Sequence, residues 1–218
     1  MLKDYRLPPL NGGAPKSVVI FLHGLGDRGD GGLLSIGQYW QRALPDTEFL
    51  CPDAPFPFDM APPDFGGRQW FSLQDFVPEK LEAGVQHAAP ILNDYIDHVL
   101  ATRNLSADRL ALVGFSQGTM MALYVAPRRA QPIACIIGYS GLLRGAATLR
   151  AEKKSAPPVL LVHGTDDEVV PCTALTTAEQ GLKDAGIAVQ TITCPNLAHS
   201  IDDRGVMEGL KFLQANLR

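Results

Sequence analysis

No run in this 218-residue chain approaches the roughly 18 consecutive apolar residues of a membrane span, so stable membrane insertion is not expected. The opening Met1-Leu2-Lys3-Asp4-Tyr5-Arg6 lacks the apolar centre of a secretory signal. Cysteine is sparse. Cys51, Cys135, Cys172 and Cys194 lie far apart with no C-x-x-C, which argues against a disulfide framework or a zinc site. Three of them, Cys51, Cys135 and Cys194, sit in or beside apolar runs, where cysteine acts as a small buried hydrophobe, so free thiols in a reducing cytoplasm are expected. Basic residues are in deficit: 19 Lys and Arg against 23 Asp and Glu give a net charge of −4, without the electrostatic footprint that nucleic acid requires. Lys153-Lys154 and Arg128-Arg129 are isolated pairs that read as solvated helix ends. Metal-ligand spacing is missing, and Gly24 and Gly26 are read as turn glycines, not as a dinucleotide loop, so neither a metal nor a cofactor is expected. Repeats, linkers and low-complexity tracts are also missing, which leaves one domain over residues 1–218.

What is present is alternation. Short apolar runs at Ser17–Leu22, Thr47–Cys51, Arg109–Val113, Ile133–Tyr139, Val159–Val162 and Val189–Cys194 read as strands. Several have no polar positions, as expected of parallel strands covered on both faces. Helical patterns fall between them near Leu33–Leu44, Glu79–Arg103, Gln117–Ala126, Thr173–Ala185 and Ile201–Leu217. In the last, Val206, Leu210, Leu213 and Leu217 form one apolar stripe. Pro90 should start or kink the long segment Glu79–Arg103. The pattern predicts an α/β fold with a mostly parallel, doubly wound sheet and helices on both faces. The irregular stretch 52–67, rich in Pro, Asp, Phe and Gly, is expected to form one wall of a substrate cleft.

Gly114-Phe115-Ser116-Gln117-Gly118 spells G-x-S-x-G between an expected strand and an expected helix. That setting makes a nucleophile elbow: the glycines remove Cβ atoms where strand and helix crowd, and the strained turn presents the Ser116 hydroxyl. The Gln117 N–H, at the helix start, is aimed where a reacting oxygen would sit. A neutral serine needs a base beside it. Of the five histidines, His87 and His98 fall in a polar helical region, and His23 reads as a structural residue of the first strand's loop. In open-sheet enzymes with this elbow the order is serine, acid, histidine. His163 precedes the acidic cluster, so His199 in Asn196-Leu197-Ala198-His199-Ser200 is the base candidate. The acid should follow the strand Val159–Val162, where Asp166 and Asp167 compete and the pattern barely separates them. The first strand's His23-Gly24-Leu25-Gly26-Asp27 should supply a second oxyanion donor, the N–H of Leu25. Trp70, Phe71, Leu142, Leu143 and Val169 are the expected apolar wall for the substrate.

His23-Gly24-Leu25-Gly26-Asp27, Pro52-Asp53-Ala54-Pro55, Trp70-Phe71, the elbow, Ser140-Gly141, His163-Gly164 with Asp167 and Val170-Pro171, and Ala198-His199 follow one another in an order that resembles the phospholipase/carboxylesterase family of α/β-hydrolases. The family includes bacterial carboxylesterases and acyl-protein thioesterases. The resemblance implies an α/β-hydrolase fold. It makes Ser116 the nucleophile, His199 the base and Asp167 the acid, with Leu25 and Gln117 in the oxyanion hole. It implies a serine esterase acting on small-molecule esters of short to medium acyl or aryl type, with a lysophospholipase or acyl-protein thioesterase of long-chain substrates as the alternative. It also implies a weak homodimer through apolar surface near the active-site mouth. A silent hydrolase fold serving as a binding module is the reading from another class, and the intact serine, aspartate and histidine argue against it. Two features depart from many members: Leu142-Leu143 replaces a bulky aromatic after Ser-Gly, and Arg28-Gly29-Asp30-Gly31-Gly32 replaces a longer Thr-Gly segment.

Overall fold

Strands without polar alternation must be covered on both faces, and helices supply that cover. The computed structural model describes residues 1–75 and 77–217. Its main sheet has seven strands: β1 (Asp4–Leu7), β2 (Ser17–Leu22), β3 (Thr47–Pro52), β6 (Leu110–Phe115), β7 (Cys135–Tyr139), β8 (Val159–Gly164) and β9 (Val189–Cys194). Their order across the sheet is β1-β3-β2-β6-β7-β8-β9. All neighbours are parallel except β1, which runs antiparallel to β3 at the edge. A two-stranded ribbon pairs β4 (Phe56–Pro57) with β5 (Arg68–Gln69). The helices are α1 (Leu33–Trp40), α2 (Pro78–Arg103), α3 (Gln117–Val125), α4 (Ala146–Glu152), α5 (Thr173–Asp184) and α6 (Asp203–Asn216). Among the described residues no helix is long and apolar enough to cross a membrane.

Alternate residues of each central strand enter opposite cores. Val18, Ile20, Leu22, Leu110, Leu112 and Ile136 pack with α2, α3, α4 and α5. Val19, Phe21, Ala111, Val113, Ile137 and Tyr139 pack with α1 and α6. The second face is pinned by two polar tips. The Trp40 indole N–H donates to Val206 O at 3.1 Å, and the Tyr139 hydroxyl donates to Gly205 O at 3.0 Å. The doubly wound architecture is therefore present as expected.

Three local expectations are corrected. α2 starts at Pro78, not at Pro90, and stays helical through Pro90, which lies on the exposed side where water can satisfy the freed carbonyl. β1 was not anticipated, since its four residues make a half-exposed edge strand without an apolar run. The 52–67 segment does not wall the cleft that holds Ser116. The ribbon it forms with β5 instead braces the loop after β2 through Arg68 of β5, with Gly26 N–H donating to Arg68 O at 2.8 Å and Arg68 N–H to Asp27 O at 2.9 Å.

Candidate active site

Parallel strands put every β-to-α loop at one edge of the sheet. That edge receives the loop after β2, the turn after β6, the loop after β8 and the loop after β9. At the turn, Ser116 has φ 52° and ψ −114°, a conformation that L-residues rarely adopt. Its neighbours make the turn possible. A Cβ on Gly118 would overlap the Leu22 carbonyl, and one on Gly114 would overlap the backbone at Gly118 and Thr119. The Ser116 N–H is held by Tyr139 O at 2.9 Å, and the Thr119 hydroxyl by the same carbonyl at 3.0 Å.

The structure brings Asp167, not Asp166, to His199. Asp166 is exposed and accepts from Thr165 at 2.8 Å. The Asp167 side chain is fully buried, and its Oδ2 accepts from His199 Nδ1 at 2.7 Å. Its Oδ1 accepts the N–H groups of Val169 and Val170 at 2.9 and 2.8 Å. Burial by itself would push this carboxyl up. The His199 hydrogen bond and the two backbone donors outweigh it and hold the carboxyl below its ordinary value. An ionised acceptor there keeps the proton on Nδ1 of His199 and leaves Nε2 as the basic atom. The His199 ring packs against Phe115, with centroids 4.9 Å apart.

His163 holds a position that its sequence context did not reveal. It is buried, and its Nε2 donates to Val170 O at 2.8 Å while standing 3.2 Å from Asp167 Oδ2. The imidazole thus clamps the turn after β8 that presents the carboxylate. Its i, i+4 spacing to Asp167 at a strand end was the available signal. His23 is fully buried, and its Nδ1 lies 2.7 Å from Gly24 O while its Nε2 accepts Ala54 N–H at 3.0 Å. Burial lowers its pKa, against a smaller opposing effect from the Gly24 carbonyl, so the ring is neutral and pins the Gly24–Gly26 turn. Gly24, Gly26 and Gly29 spell the G-x-G-x-x-G of dinucleotide loops. Here α1 begins only at Leu33, so no helix opens on these glycines.

A cleft of about 310 Å³ opens over Ser116. Ser116, His199, Leu25 and Gln117 all line it, with Leu142 and Val169 among the expected wall residues. The Leu25 N–H has no hydrogen-bond partner among the described residues, and Gln117 occupies the first position of α3, where N–H groups are free of helix bonds. Trp70, Phe71 and Leu143 are corrected. Trp70 is buried beneath the cleft, its indole N–H donating to His23 O at 3.1 Å. Its backbone N–H and the Phe71 carbonyl are clamped by the Gln117 amide at 2.8 and 2.7 Å. The Phe71 ring packs on Gly84 of α2, and Leu143 points at Gly181 of α5. Large apolar residues that face the core and those that face a cleft look alike in a sequence, which is why these three were expected in the wall. Met120, Leu73, Val170 and Pro171 complete the apolar lining, and Arg144 joins it.

The comparisons agree with this architecture. The model of the phospholipase/carboxylesterase family matches residues 11–217. Acyl-protein thioesterase 1 of Schizosaccharomyces pombe is 30% identical over 210 residues, covering 92% of this chain and 91% of its own. Esterase YpfH of Escherichia coli is 26% identical over 199 residues, covering 91% and 82%. The crystal structure of esterase PE8 superposes with a TM-score of 0.92 at 38% identity, over 99% of both chains. With an α/β-hydrolase sheet and a family match over nearly its whole length, this chain belongs to the phospholipase/carboxylesterase family and is a hydrolase.

Proposed function

We propose that the chain is a serine carboxylesterase acting on esters of short to medium acyl or aryl groups. The observation that carries the reading is the hydrogen bond from His199 to the buried Asp167 carboxylate, with His199 lining the same cleft as a strained Ser116. Ser116 Oγ attacks the ester carbonyl carbon while His199 Nε2 takes its proton. The N–H groups of Leu25 and Gln117 hold the oxyanion. Collapse breaks the bond to the alcohol oxygen, which receives the proton from His199, and leaves the acyl group on Ser116. His199 then deprotonates a water that attacks the acyl carbon and releases the acid. A volume of about 310 Å³ is at the lower end of ligand pockets, which run roughly 300–1,000 Å³, and it favours short acyl groups. The thioesterase names of several relatives support the second reading, cleavage of long-chain thioesters.

Nitrophenyl esters from acetate to palmitate, given to wild type and Ser116→Ala in parallel, test both. Turnover should peak at short chains and vanish in the variant while its melting temperature is retained. A peak at palmitate would favour the long-chain reading, and activity surviving in Ser116→Ala would overturn the nucleophile.

A further inference from the structure

Arg144 is the one Lys or Arg among the cleft's lining residues, and among the described residues it makes no ion pair. Its Nε is buried without a hydrogen-bond partner among the described residues. Arg129 shares the idle Nε, but it and three other arginines find carboxylates: Arg28 with Asp30, Arg103 with Glu48, Arg128 with Glu152 and Arg129 with Asp97. The acid nearest in influence to Arg144, Glu82, spends a carboxylate oxygen on the Gly145 N–H at 3.0 Å. Burial lowers the guanidinium's pKa and Glu82 opposes this, yet an arginine stays charged at neutral pH. A half-desolvated cation with an idle donor is costly unless something completes it. The chemistry that fits a planar fork of N–H groups is a carboxylate.

The position of the charge distinguishes the two ends of the substrate. A second depression, lined by Asp27, Phe115, His199 and Ser200, adjoins the cleft and shares the first three of these with it. His199, which must protonate the departing alcohol, and the Asp27 carboxylate line both spaces, so Arg144 is what tells them apart. Arg144 lines the cleft and not the depression, together with Leu142, Met120 and Leu73, whose surfaces suit methylene groups. We propose that Arg144 determines specificity by pairing with a carboxylate carried on the acyl chain, so that preferred substrates are half-esters of dicarboxylic acids. Water cleaves such an ester to the alcohol and the free diacid. The inference rests on the esterase reading and extends it to a substrate class.

The test compares 4-nitrophenyl half-esters of adipic and suberic acid with 4-nitrophenyl hexanoate and octanoate, enzyme-free rates subtracted. In wild type, kcat/KM should favour the half-esters. In Arg144→Met the ratio of half-ester to neutral-ester kcat/KM should fall roughly 10- to 100-fold, mainly through the KM of the half-esters. Arg144→Lys should keep part of it. In wild type alone, raising salt should erode the preference, a readout that needs no variant to fold. A half-ester to neutral-ester ratio unchanged by Arg144→Met, or a wild-type ratio near one that ignores salt, would overturn the proposal while leaving the esterase standing. Turnover of none of the four esters would overturn both.

Discussion

Asp167 couples acid stability to the site. Its carboxyl has a lower pKa in the folded chain than in the unfolded one, where the ordinary value is about 3.9. The stability it contributes is complete above that ordinary value and is lost as pH falls through the lower folded value. Asp167→Asn should therefore flatten the acid limb of a melting-temperature profile below about pH 4, and an unaltered limb would refute the linkage. The same variant replaces an acceptor of three hydrogen bonds by a group that cannot fix the Nδ1–H tautomer of His199. Its kcat on a neutral ester should drop roughly a thousand- to ten-thousand-fold. Much of the site was legible in the sequence at this scale. Ser116 and His199 are singled out by motif and order, and the family resemblance singles out Asp167; spacing alone left Asp166 level with it, because burial, which separates the two in the structure, is not written in a local pattern. Trp70 and Phe71 failed for the same reason, since an aromatic facing a cleft and one facing the core have identical spelling.

Among elements, the junction of β6 and α3 has the least tolerance. Gly118 lies against the Leu22 carbonyl of β2, and backbone cannot retreat as a side-chain tip can. Gly118→Ala should cost about 3 kcal/mol or more in chemical denaturation, or prevent folding. Gly32, before α1, has a negative φ and nothing within 4 Å of a new Cβ, so Gly32→Ala should stay within about 0.5 kcal/mol of wild type. Equal effects of the two would refute the crowding argument. The six longer strands and five of the helices were readable because their apolar runs are continuous or periodic. β1 and the β4–β5 ribbon were not, because two to four residues at an edge carry no period. α4 escaped for a similar reason: its seven residues bury Leu149 alone.

For the molecule as a whole, thiol accessibility gives a count of folded chains. Cys51, Cys135 and Cys194 are free and buried, and Cys172 is half-exposed. Burial raises the Cys135 thiol to about 12 and that of Cys194 to about 11, and it raises Cys51 as well. Reactivity needs thiolate and access together. A coloured disulfide reagent should therefore find one prompt thiol in the native protein and four in denaturant; prompt reaction of more than one in the native state would contradict the packing of both cores. A last consequence concerns time. Asp166 N–H binds Leu197 O, Thr165 N–H binds Cys194 O, and Asn196 N–H binds the Thr165 hydroxyl, so the turn after β8 and the loop after β9 are spliced together. On the ribosome the elbow at Ser116 emerges roughly 80 residues before His199, a delay of several seconds at about 5–20 residues per second. A growing chain thus holds its proposed nucleophile well before the base that activates it, and the onset of hydrolysis during synthesis would mark the moment at which β9 closes the sheet.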